Sequence, residues 1–264
     1  MKKLLSFILV FAISSGISGC GGFGDPTISV EQDVITNVSS ETMSEDTSSQ
    51  EEEEAGPIFD FNSWELRLVN PWNSIPEDFE LQLATITSPY AGFAGASFDA
   101  RAIEPLHALC ADAKAAGINL TIISAYRTNE FQTNNFERKV NNVMAADPSL
   151  TREEAEAKAA TVVARPGTSE HQVGLAVDFN SVEDSFKNTK EYAWLVENCT
   201  KYGFILRYTE EKQDITGIIP EPWHYRYVGV EAAKIMKEEN LCLEEFIEKY
   251  NVTAADDTSS EAVQ

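Results

Sequence analysis

Two stretches of the 264-residue chain carry two of its three histidines: Ser169-Glu170-His171-Gln172-Val173-Gly174-Leu175-Ala176-Val177-Asp178 and Glu221-Pro222-Trp223-His224-Tyr225-Arg226. Each also holds a carboxylate at a fixed offset, Asp178 seven residues after His171 and Glu221 three residues before His224. Two neutral imidazoles and one carboxylate are a three-ligand set for a divalent metal. They leave a position for water, whose pKa zinc lowers to about 7. The pattern predicts a metallohydrolase with one zinc on His171, Asp178 and His224, although the same donors also suit manganese or cobalt. Glu221 is then the spare carboxylate, suited to take a proton from the water and return it to the leaving group. The third histidine, His107, lies in a helical stretch without a partner motif and reads as structural.

The elements around these residues must bring them together. Asp99 to Ala116 reads as a helix with Asp99 as its cap and Gly117 at its end. Asn119 to Ala125 alternates like a strand and delivers Tyr126 and Arg127. Thr128 to Met144 reads as a second helix, and the capping box Thr151-Arg152-Glu153-Glu154 opens a third, running to about Ala164. Val173 to Phe179 is a strand of small and apolar residues, in which Gly174 and Ala176 leave room for a site. Lys190 to Tyr202 is helical, with Trp194, Leu195 and Cys199 inward. Gly203–Tyr208 and Trp223–Val228 look like paired strands, Leu66–Asn70 like a short one, and Asn70–Asn73 like a turn. Helices over Val230–Glu239 and Leu243–Tyr250 close the domain. The class is α+β, a small, mostly antiparallel sheet packed with helices. A regular strand would put Glu221 and His224 on opposite faces, so a turn or bulge is expected at Pro222.

Residues 1–20 read as an export signal: Lys2 and Lys3, an apolar run too short to span a membrane, then Ile17-Ser18-Gly19-Cys20, which resembles a bacterial lipobox with Cys20 as the lipidated residue. Residues 21–57 read as a disordered tether, with ten acids and no base between Asp25 and Ala55. The catalytic domain is expected over residues 58–250, and an acidic, disordered tail over 251–264. Of the net charge of −23, about −12 falls on residues 56–250, a poor match for nucleic acid. Cys110, Cys199 and Cys242 have no CxxC spacing; a Cys199–Cys242 bridge and buried free thiols are both open.

The SxHxxGxAxD and ExWHxR stretches, together with Ser124-Ala125-Tyr126-Arg127-Thr128 and Leu68-Val69-Asn70 with Trp72-Asn73, resemble the VanY-type zinc D-alanyl-D-alanine carboxypeptidases from about Leu66 to Tyr250. The resemblance implies the fold shared by D,D-peptidases and the hedgehog signalling domain. It implies zinc on His171, Asp178 and His224, with Glu221 as base. It implies removal of the terminal D-alanine from peptidoglycan stem peptides by a protein held at the cell membrane through its N-terminal lipid. Arg127 would steady the scissile carbonyl or the terminal carboxylate, a task suited to its planar fork. By analogy Gln132 and Ser169 would complete that pocket. Arg165, Tyr208, Trp223 and Arg226 are weaker candidates; Arg165 is expected to hold the loop before His171 and Trp223 to pack in the core. The alternatives are an L,D-carboxypeptidase acting on tetrapeptide stems, a dipeptidase, a non-catalytic wall-binding lipoprotein that keeps the metal, and a structural lipoprotein without one.

Overall fold

A four-stranded antiparallel sheet is the frame on which the site is built. The computed structural model describes residues 57–260, with side chains through Asn251. The export signal, Cys20 and all of the tether except Pro57 lie outside the described residues. Among those described, no helix is long and apolar enough to cross a membrane.

The first two strands, β1 (Leu83–Thr85) and β2 (Ser97–Asp99), form a separate antiparallel pair. The larger sheet consists of β3 (Ile122–Ser124), β4 (Ala176–Phe179), β5 (Phe204–Leu206) and β6 (His224–Tyr227), in the order β3-β4-β6-β5 with every pairing antiparallel. Side chains alternate across a strand. Ile122, Val177, Phe179, Tyr225 and Tyr227 therefore face the main core, where they join Leu106, Leu109 and Cys110 of helix α1 (Ile103–Ala115). Asp178, His224 and Arg226 project from the other face, and a register shift between Ile122 and Ser124 sets Ser124 opposite Asp178 there.

Helix α2 (Asn129–Ala146) is capped by the Thr128 hydroxyl, and α3 (Arg152–Ala160) by the expected capping box between Thr151 and Glu154. The two share a small core of Phe136, Val140, Ala155 and Ala159. Helix α4 (Lys190–Asn198) runs into a 3₁₀ turn over Cys199–Tyr202; Leu195 and Cys199 are buried and Trp194 partly so. The one-turn α5 (Gln213–Thr216) is followed by α6 (Val230–Glu238) and α7 (Leu243–Ser260). Ala232, Met236, Leu243 and Phe246 of the last two helices form a second core with Leu66 and Val228.

The structure corrects several local expectations. Leu66–Asn70 is not a strand; only Asn70 forms a bridge, closing the expected turn with Asn73. The Glu65 and Arg67 carbonyls instead accept from the Arg226 guanidinium at 3.0 and 2.9 Å, which satisfies the backbone without a partner strand. Asp99 does not cap α1, whose N-cap is Ala102; its carboxylate turns back to Arg101. Helix α7 continues to Ser260, past the expected domain end at 250 and into the stretch read as a tail, because extending a formed helix costs far less than nucleating one. Cys110, Cys199 and Cys242 are all buried free thiols.

Candidate metal centre

Strand register assembles the site. Ser124 of β3 lies opposite Asp178 of β4, and Asp178 lies opposite His224 of β6. Three chain segments far apart in sequence thus present these side chains in a row on one face of the sheet. His171 arrives from a 3₁₀ turn, Glu170–Val173, directly before β4. That turn ends at Gly174 in the left-handed region (φ 71°), and its carbonyl accepts from Asp99 N at 2.9 Å. A Cβ there would sit 3.2 Å from Leu83 Cδ2, well away from the metal ligands. Gly174 is therefore required by backbone conformation and packing, not, as the sequence suggested, to clear space at the site.

His171, Asp178 and His224 offer one ligand atom each within 4.8 Å of one another, and all three are buried. The two imidazoles are held by opposite edges. His171 Nδ1 is 2.8 Å from the Ala125 carbonyl, which leaves Nε2 facing Asp178 Oδ2 at 3.3 Å. His224 Nε2 is 3.1 Å from Glu170 Oε2, which leaves Nδ1 facing Asp178 Oδ1 at 3.3 Å. Asp178 Oδ1 is a buried carboxylate oxygen without a hydrogen-bond partner among the described residues. Such an atom is costly unless something cationic meets it. A divalent ion among these donors answers that need, and the outer hydrogen bonds on both imidazoles are those that ligating histidines make.

Glu221 reaches the same spot through the expected turn: His224 N donates to the Glu221 carbonyl at 3.1 Å, and Glu221 Oε2 lies 3.4 Å from His224 Nδ1. In the metal-free protein, burial pushes the Glu221 carboxyl up to about 8. Burial likewise lowers His171, with the Arg127 charge adding to it, to about 4, so this imidazole is neutral and ready to ligate. For His224 burial is outweighed by the adjacent carboxylates of Asp178 and Glu170, which raise it to about 9. Burial opposes ionisation of Asp178 too, but His224 and the Arg127 guanidinium beside it hold its carboxyl well below the usual range.

Arg127 follows β3, with its own N–H bound to the His171 carbonyl at 3.1 Å. Its guanidinium donates to Ser124 Oγ at 2.7 and 3.0 Å, to Asp178 Oδ2 at 2.9 Å and to Gln132 Oε1 at 3.4 Å. Arg127 and Ser169 line a cavity of about 480 Å³ beside the ligands. Gln132 does not line it; fully buried, it bridges Arg127 to the Ala164 carbonyl, at 2.7 Å. The Tyr208 ring lies tilted against His224, ring centres 4.8 Å apart, and Trp223 is buried between cavity and core. Arg165 pairs with Glu156 at 3.0 Å and covers Phe136, while its carbonyl, not its side chain, holds the loop through Thr168. His107 sits apart, against Thr87 and Tyr90.

Sequence reasoning passed over Glu170. It is fully buried, contacts His224, and receives Arg207 Nε at 2.8 Å and Arg226 Nη1 at 3.0 Å. Its place next to His171 was the available signal, but its arginine partners are 37 and 56 residues away.

Fold and site together define a mononuclear metallohydrolase of the D,D-peptidase fold. The family model "VanY: D-alanyl-D-alanine carboxypeptidase" matches residues 95–230. The chain belongs to that family. It is 42% identical over 188 residues to a D-alanyl-D-alanine carboxypeptidase of Enterococcus faecalis (strain ATCC 700802 / V583), covering 71% of this chain and 67% of that protein. Among solved structures it is similar to a glutamate-to-alanine variant of the vancomycin resistance D,D-pentapeptidase VanY in complex with Zn(II), at 42% identity and a TM-score of 0.61, covering 70% of this chain and 99% of that one. It is also similar to the LD-carboxypeptidase LdcB, at 34% identity and a TM-score of 0.58, covering 69% and 85%.

Proposed function

We propose that this protein is a zinc-dependent carboxypeptidase that removes the terminal D-alanine from peptidoglycan stem peptides while held at the membrane through a lipidated Cys20. The observation that carries the reading is the register that sets Asp178 opposite His224, with Glu221 within 3.4 Å of the His224 edge that also faces Asp178. His171 through Nε2, His224 through Nδ1 and Asp178 would hold the ion. Zinc, when bound, supplies a Lewis acid that polarises a carbonyl and makes water a nucleophile at neutral pH.

The chain's own groups do the rest. Glu221 accepts the proton of the attacking water at its carboxylate and delivers it to the departing amine of D-alanine. Arg127, fixed by Ser124, Asp178 and Gln132, aims its guanidinium at the developing oxyanion or at the substrate's terminal carboxylate, with no reorganisation needed during reaction. Ser169 adds a hydroxyl to the cavity wall, and Gln132 acts from beneath Arg127.

Mass spectrometry of defined stem peptides tests this reading. The expected result is loss of one D-alanine from a pentapeptide ending in D-Ala-D-Ala, abolished by a chelator and restored by zinc. Cleavage that a chelator leaves untouched would overturn it. The likeness to LdcB favours a second reading, in which the preferred substrate is a tetrapeptide and the bond cleaved is L,D. The same spectra separate the two by which stem loses mass faster.

A further inference from the structure

At about 480 Å³ the cavity falls in the range of sites that enclose a drug-sized ligand, and its lining extends past the metal-site residues onto helix α2. One of its walls is the outer stripe of α2: Phe131, Asn135 and Arg138, spaced i, i+4 and i+7 so that they share a helix face. The opposite stripe, Gln132, Phe136 and Val140, is buried.

Arg138 stands out among the cations of this cleft. Arg127, the other arginine lining it, already shares its charge with Asp178 and donates to Ser124. Arg138 forms no ion pair among the described residues, in a chain with 43 acidic and 20 basic side chains. Its side-chain partner is the neutral Asn135 Oδ1 at 2.5 Å. A neutral acceptor orients the guanidinium without cancelling its charge, and leaves most of its five N–H donors for a ligand. An acidic protein repels an anionic substrate, so a cation on the cleft wall has a direct use.

Position fixes where on a substrate this charge would act. Gln132 touches Arg127, and Arg138 follows six residues later on the same helix, about 9 Å further along. An extended peptide spans that distance in about three residues. We propose that Arg138 is a specificity residue that anchors a carboxylate borne by the substrate about three residues back from its C-terminus. The assignment rests on the carboxypeptidase reading, which places the substrate's C-terminal end beside Arg127 and the metal ligands.

The test uses two pentapeptides ending in D-Ala-D-Ala, identical except that the residue three back carries a free carboxylate or its amide. D-Alanine release by the zinc-loaded protein gives kcat and KM. Calorimetric binding to the Glu221→Ala protein, with and without Arg138→Ala, gives affinity independently of turnover. The expected result is a KM at least fivefold lower for the acidic peptide, a difference that Arg138→Ala shrinks to within twofold while kcat stays within twofold. Arg138→Lys should keep part of the preference. A wild-type protein that treats both peptides alike, or an Arg138→Ala protein that keeps the full preference, would overturn the assignment. If neither peptide is hydrolysed, the carboxypeptidase reading falls, and the ratio of the two binding constants still decides the role of Arg138.

Discussion

Glu170 Oε2 lies 3.1 Å from His224 Nε2, and the other oxygen of the same carboxylate receives Arg207 and Arg226. Arg207 in turn donates to both oxygens of Glu244 on α7, and Glu244 accepts from Asn70. One histidine of the candidate metal site is thereby tied, through buried charges, to the C-terminal helix and to the turn at Asn70. An imidazole that donates from Nε2 has its lone pair on Nδ1, the edge facing Asp178 and Glu221. The carboxylate therefore selects the tautomer in which His224 can act as a ligand.

Replacing that carboxylate should weaken metal binding and the fold together. Glu170→Ala leaves Arg207 and Arg226 without their shared partner, a loss of about 3–5 kcal/mol for a broken buried pair. Zinc affinity, read by competition with a coloured chelator, should fall about 10–100-fold. Glu170→Gln keeps an acceptor and should lose less affinity. An alanine variant that holds zinc as tightly as wild type would refute the orienting role.

Glu221→Gln separates binding from proton transfer. The amide nearly matches the carboxylate in shape but cannot take a proton, so turnover should drop about 10²–10⁴-fold. Zinc content per chain, measured by atomic emission, should stay at the wild-type value. Wild-type turnover by this variant would remove Glu221 from the mechanism.

Much of this site was readable before any coordinates, because its signals are local. Thr151 and Glu154 announce a helix start by their spacing, and Pro222 between Glu221 and His224 announces the turn that unites them. What escaped depends on distant partners. Leu66 and Val69 are both buried although three apart, a spacing that strand alternation does not give, and their segment is satisfied by Arg226, some 160 residues away. Asp99 could have capped a helix, but a nearby arginine competes for it. The β1–β2 pair has three-residue strands, and both ends of β1 are exposed, too little periodicity to register. Glu170 looked like filler within a metal motif because neither Arg207 nor Arg226 could be assigned to it without the fold.

The free cysteines should be inert in the native protein. Burial pushes the Cys110, Cys199 and Cys242 thiols up to about 12, so almost no thiolate exists at pH 8. An excess of iodoacetamide should leave all three unlabelled over an hour, and label them within minutes in concentrated guanidinium, as counted by intact mass. Rapid labelling of Cys199 or Cys242 without denaturant would contradict their burial.

The metal-free protein should lose stability as pH rises from about 6.5 to 9, and zinc should reverse the trend. Glu221 and His224 have folded pKa values of about 8 and 9, both above their unfolded values near 4.3 and 6.5. Across this window the folded, metal-free chain holds more protons than the unfolded one, so each rise in pH favours unfolding. His171 acts the other way, being lowered to about 4, but its contribution fades as pH climbs past the unfolded value near 6.5. Zinc at His224 Nδ1 competes with the proton there. Binding at pH 7 should therefore release protons, and affinity should climb up to about tenfold per pH unit per proton displaced. Urea midpoints with chelator at pH 6.5 and 9 give the first slope. Calorimetry in buffers of differing ionisation enthalpy gives the protons released. A zinc affinity independent of pH between 6.5 and 9 would mean that no proton leaves this cluster on binding, and His224 could not be the ligand described.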